Sequence, residues 1–149
     1  MIEQLYLFAT IFLGLFAGSL LTEATILVPY WRRMRPNDFL TLHGALGPYL
    51  FRYFAPLTVG TTGLVIVRAL LTGADNIAWM ISAGLCLMTL AIFFIYFRAA
   101  NNRFASHNIG VDELGSELQK WSQWHWFRTV LSIVALATSV YGHTVNGIS

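Results

Sequence analysis

Hydrophobic residues along this chain fall in long unbroken stretches, without the short polar interruptions of a water-soluble fold. Residues 4–22, 53–67, 76–97 and 129–149 run for 19, 15, 22 and 21 positions without a single Asp, Glu, Lys or Arg. A helix of about 20 mostly apolar residues crosses a bilayer, and the second stretch reaches that length once it extends past its flanking arginines. Four spans are therefore expected, at about 4–31, 48–71, 76–98 and 124–145, within one domain covering residues 1–149. The fold class implied is all-α: an integral membrane four-helix bundle with a short extra helix between spans one and two. An open sheet cannot satisfy its backbone in lipid, and the strand-length alternation of a barrel is absent.

Polar punctuation refines these elements. Helix one is expected over 2–31, emerging from the bilayer at Arg32-Arg33. Pro36 and Asn37-Asp38 then form a turn that caps a short helix at 39–46. Gly47-Pro48 ends that helix, and span two starts there and runs to Leu71, because proline suits a first helical turn. Thr72-Gly73-Ala74-Asp75 reads as a tight outer turn. Span three continues as helix through Asn102 until Asn108-Ile109-Gly110 breaks it, and Asp112 caps the last helix. Within that helix Leu114, Leu118, Trp121, His125 and Arg128 recur at steps of four and three, which puts them on one face. Ser132, Ala135, Ser139 and Gly142 continue that face. Helices in lipid associate by fitting together, so a row of small residues predicts close contact, and His125 and Arg128 are expected to point into the bundle.

Composition agrees: 56% of residues are hydrophobic and 11% charged, against roughly a quarter charged in a soluble domain. That balance excludes a soluble enzyme, a disulfide-stapled secreted domain, a disordered tail and a nucleic-acid module. The net charge of +2 says less than its placement. Arg32, Arg33, Arg35 and Arg52 flank the first link, Arg98, Arg103, Lys120 and Arg128 flank the third, and Arg68 alone sits at the other end. By the positive-inside rule both basic links face the cytoplasm and both termini the non-cytoplasmic side of a bacterial-type inner membrane. Glu3 replaces the basic start of a cleavable signal peptide, so the first stretch is expected to stay as helix one. The lone Cys86, in the middle of span three, reads as a small buried hydrophobe.

Against this apolar background Glu23 is the sharpest signal, because a carboxylate within a membrane helix is costly to keep. It either pairs with Arg128 or Arg52 to fix helix order, or serves as a functional group. Counting residues along each rod places His43 and His125 at the same depth, with His107 in the nearby link; His143 lies at the far end. Imidazoles with a carboxylate are a ligand set for copper, iron or zinc, so His43, His125, His107 and Glu23 are candidate metal ligands. The cofactor is left open between copper, iron and none. Asn101 and Asn102 either cap helix three or orient a bound oxygen. Trp121 shares the inward stripe with His125 and is expected to wall a flat apolar pocket for a small molecule. Gly14 and Gly18 form a small-xxx-small pattern on nearly the opposite face of helix one from Glu23, a surface suited to another helix or subunit. No phosphate loop or nucleophile elbow is present.

Phe16-Ala17-Gly18, Pro29, Asn101-Asn102 and above all the run from Trp121 through Trp124 and His125 to Arg128-Thr129 resemble the anthrone oxygenase-like group of small four-helix membrane proteins, in order and over nearly the whole length. The resemblance implies an oxygenase that uses dioxygen to convert an activated methylene of a phenolic molecule to a ketone. In such a reaction His125 or Glu23 would serve as base, Arg128 and Asn102 would stabilise the enolate, and Trp121 and Asn101 would contact a small aromatic substrate. The rival expectation is a non-catalytic subunit, or a homo-oligomer, that packs through the Gly14/Gly18 face. An enzyme requires the polar groups to converge beside a cavity; a subunit requires only that they satisfy one another. Proton or ion passage is disfavoured, since only Arg68 and His143 carry ionisable groups into the outer half.

Overall fold

A computed structural model describes residues 2–73 and 76–146. Met1, Ala74 and Asp75 of the expected outer turn, and the 147–149 end of the fourth apolar stretch lie outside the described residues. Among the described residues there is no strand. Four rods form the molecule. The first is α1 (Ile2–Thr22), a π segment (Glu23–Leu27) and α2 (Val28–Trp31); the second is α3 (Pro36–Thr72). The third is α4 (Ile77–Ile92), a second π segment (Phe93–Phe97) and α5 (Arg98–Ala105); the fourth is α6 (Val111–Asn146). Each rod packs chiefly on two others, in the cyclic order one, two, three, four, and α3 also touches α6 across the centre. Three of them, Gln4–Trp31, Pro36–Thr72 and Ile77–Ala105, are long and apolar enough to cross a membrane.

The expected short helix at 39–46 does not stand apart. α3 runs unbroken through Gly47, Pro48 and Pro56, and Pro36 is its first residue, not part of a separate turn. A proline interrupts one backbone hydrogen bond, and in a packed membrane bundle neighbouring rods offset that loss. Asp112 likewise lies inside the first turn of α6, whose opening amides at Glu113 and Leu114 bond to the Gly110 carbonyl.

The face anticipated along α6 is the one buried: Leu114, Leu118, Trp121, His125, Ser132, Ala135, Ser139 and Gly142 are all buried. Small residues near its end let α4 come close. Ser82 donates to the Ala135 carbonyl at 2.9 Å and meets Thr138 Oγ1 at 2.7 Å, while Asn76 Nδ2 donates to the Gly142 carbonyl at 2.6 Å. A Cβ at Gly142 would lie 2.9 Å from both Ala78 Cβ and Asn76 Oδ1. Gly142→Ala is accordingly expected to lower stability by about 1–3 kcal/mol through overpacking. Gly84→Ala, at a position with nothing within 4 Å, is the control expected to be neutral or better. Thermal unfolding of both variants in detergent checks the contrast.

Two apolar clusters fill the bundle. One, drawing on all four rods, gathers Leu13, Val65, Trp79, Cys86 and Ala135; Cys86 is the small buried hydrophobe expected. The other, at the arginine-rich end, is aromatic: Trp31, Phe39, Phe97, Phe104 and Trp121.

Candidate functional site

Both π segments turn toward the same spot on α6. In each, an amide reaches back five residues: Val28 N–H to the Glu23 carbonyl, and Arg98 N–H to the Phe93 carbonyl. Such wide turns cost regular hydrogen bonding and occur most often where a helix must aim a particular side chain. The first begins at Glu23 and the second ends at Phe97, and both residues meet the His125–Arg128 pair.

Arg128 is the hub. Its Nε donates to His125 Nδ1 at 3.2 Å, its Nη2 lies 3.5 Å from Glu23 Oε2, and its guanidinium carbon sits 4.2 Å from the centre of the Phe97 ring. The bond to Nδ1 determines the tautomer. Nδ1 must offer a lone pair, so the proton resides on Nε2, which donates to the Leu20 carbonyl at 3.0 Å. His125 is therefore a neutral imidazole with both nitrogens engaged. Its 3.7 Å approach to Glu23 is no ion pair, which leaves Arg128 as the counter-charge of the buried carboxylate. At 3.5 Å that pair is looser than a tight charge-assisted bond of about 2.7–2.9 Å, and Glu23 Oε1 has no hydrogen-bond partner among the described residues.

Aromatic packing seals the far side of His125. Trp121 stacks on its ring, 5.0 Å between centres and 10° between planes, and Trp121 Nε1 donates to Asn101 Oδ1 at 2.9 Å. Asn101 thus positions the indole. Trp121, expected to wall a pocket, is buried in the core against Trp31 and Phe97. Asn102, next along the helix and about 100° away, is exposed and has no part in the cluster; consecutive helical residues cannot share a face.

The expected metal set does not assemble. His43 is buried in a separate aromatic box, its ring 5.3 Å from Phe104 and 5.5 Å from Phe39, with Nδ1 unpartnered. Trp31 and Trp121 stand between it and His125. His107 is exposed in the turn after α5, where its backbone takes φ of 55°. Among the described residues no three His, Cys, Asp or Glu side chains come together, and the lone pair that His125 would give a metal already accepts from Arg128. Equal depth along separate rods does not ensure that side chains turn toward one another.

The space beside Glu23 lies on its other side. A groove of about 490 Å³ runs between α1 and α3, with Gly14, Gly18 and Glu23 among the residues that line it. The glycine line and Glu23 thus share one groove instead of occupying opposite faces. Leu50 and Phe54 close it from α3, and Tyr53 Oη meets Ser19 Oγ across it at 2.7 Å. Ser19, Leu50, Tyr53 and Phe54 are not legible as site residues from the sequence, since nothing in an apolar helix marks which residues face an inter-helical gap. Gly14 and Gly18 are the available signal, and they point there to a contact surface instead. No family model matches this chain, and no curated protein or solved structure is significantly similar to it.

Proposed function

We propose that this chain is a membrane-embedded oxidoreductase in which Glu23 acts as general base on a small aromatic or phenolic molecule, with dioxygen as oxidant. The observation that supports this reading is the double position of Glu23, whose carboxylate pairs with Arg128 while the residue also lines the groove. A subunit whose polar groups only satisfied one another would need no such opening.

The chemistry assigns separate tasks. A methylene placed next to a carbonyl-conjugated ring loses a proton to Glu23, and the electron pair left behind bonds to one oxygen of dioxygen. Return of that proton gives a hydroperoxide. Loss of water from it breaks the O–O bond as the remaining C–H electrons form the second C–O bond, so that one methylene and one dioxygen become one ketone and one water. Arg128 supports the carboxylate between these proton transfers, and His125, locked by Leu20 and Arg128, holds the guanidinium in place. Of the two candidate bases this assignment takes Glu23 and not His125, because both imidazole nitrogens are occupied.

The same proposal takes the apolar part of α6 as a fourth span, the two arginine-rich links as cytoplasmic and the site as lying in the cytoplasmic-side half of the bilayer. The test is an oxygen electrode measurement on protein reconstituted in liposomes, with 2-hydroxyanthrone as the probe substrate. Expected is uptake of one dioxygen per ketone formed, well above the rate with empty liposomes. A rate equal to that of empty liposomes overturns the reading.

A further inference from the structure

The groove between α1 and α3 has a polar inventory of one kind. Ser19 donates its hydroxyl proton to the Leu15 carbonyl at 2.7 Å, so the Ser19–Tyr53 bond must be donated by Tyr53. Thr22, also in the wall, donates to the Gly18 carbonyl at 2.8 Å. Every hydroxyl proton in the groove is thus spent. What remains are lone pairs: those of Tyr53 Oη, Thr22 Oγ1 and Glu23 Oε1, and the second pair of Ser19 Oγ. A ligand whose only polar groups are acceptors, such as a simple ketone, an ether or an anion, finds no donor, whereas a ketone that also carries a phenolic hydroxyl does find partners. One that brings a donor finds acceptors alone. The negative charge of Glu23 is already balanced by Arg128, which favours a neutral donor over a cation.

The walls give the remainder of the ligand's character. Leu27, Leu50 and Phe54 line the groove, and its rims at Leu15 and Tyr53 are exposed on the outside of the bundle. Both rims lie within helices long and apolar enough to cross a membrane, so this opening faces acyl chains. A volume of about 490 Å³ lies within the range of small-molecule sites. We infer that the groove binds a neutral lipophilic alcohol or phenol that enters sideways from the bilayer and directs its hydroxyl at Glu23 and Tyr53. The inference names the ligand class and entry route of the site proposed above, and rests on that reading for its catalytic meaning.

Photolabelling in phosphatidylcholine nanodiscs tests it, with 4-hydroxybenzophenone as the probe. Adducts are expected on residues 14–27 and 50–54. Excess 1-naphthol should reduce them about tenfold, and 1-methoxynaphthalene, which has the same ring but no donor, should reduce them little, a difference of roughly one hydrogen bond. Gly18→Leu supplies the steric control. Nothing lies within 4 Å of a Cβ at Gly18, and leucine is the better helix former, so this variant keeps the fold while filling the groove. It should label about tenfold less than the parent, by that same arithmetic, at an unchanged melting temperature. Equal competition by the two naphthalenes, or undiminished labelling of folded Gly18→Leu, overturns the inference. Donor-selective labelling without oxygen uptake supports the groove and overturns the oxygenase reading. Oxygen uptake that persists in Gly18→Leu does the reverse.

Discussion

Arg128→Met is expected to destabilise the protein by about 3–5 kcal/mol, the usual cost of removing one partner from a buried ion pair. The substitution keeps most of the side-chain volume, so the loss is electrostatic. Glu23 is left as a buried carboxylate without a counter-charge, and His125 Nδ1 loses its donor in the same step. Phe97 also loses the cation over its ring. Lysine should rescue poorly, because a single ammonium cannot place one donor at His125 and another at Glu23 as the guanidinium fork does. The discriminating variant is the double replacement Glu23→Gln with Arg128→Met. Removing both charges should recover more than half of the lost stability, since a neutral amide is far less costly to bury than an unpaired carboxylate. Thermal unfolding of the two single variants and the double in one detergent reads the coupling. A single Arg128→Met variant that melts with the parent would show that the pair is not the electrostatic centre of the fold.

The convergence of Glu23 with His125 and Arg128 was legible because two periodicities carry it. Steps of four and three along α6 set the direction of His125 and Arg128, and a rise of about 1.5 Å per residue sets the depth of Glu23 on the first rod. Depth without direction failed for His43, which shares the arginine-rich end but turns into the box of Phe39 and Phe104. It failed for Asn102 in the same way, one residue from the Asn101 that does reach Trp121. Neither π segment was foreseen. Glu23–Leu27 and Phe93–Phe97 read as ordinary apolar helix, since a wide turn has no compositional signature and is selected by what packs across from it. Continuity of α3 through Gly47 and Pro48 was missed for a related reason: glycine and proline end helices in water, whereas in a bundle the neighbouring rods decide. The groove required both rods at once. Gly14 and Gly18 hold no side chain over it, but only the placement of Leu50, Tyr53 and Phe54 turns that gap into a site.

Glu23→Gln should reduce oxygen uptake with 2-hydroxyanthrone by about 10²–10⁴-fold, the range lost when a positioned general base is removed. Glutamine retains the length and one acceptor oxygen of the side chain, so the groove keeps its shape and binding should change little. The loss should therefore fall on kcat, with KM nearly constant. Replacement of His125 by alanine is expected to act differently. His125 does not face the groove; it ties Arg128 to the Leu20 carbonyl and stacks on Trp121, so its removal loosens the guanidinium that supports the base. Activity should fall by less than in Glu23→Gln, although both variants should melt below the parent, Glu23→Gln because it leaves Arg128 without its counter-charge. Measuring kcat, KM and melting temperature for both variants separates the group that moves the proton from the group that holds its neighbour. Equal loss of kcat at unchanged stability would place His125 beside the substrate with Glu23, and parental activity in both would remove the pair from the reaction.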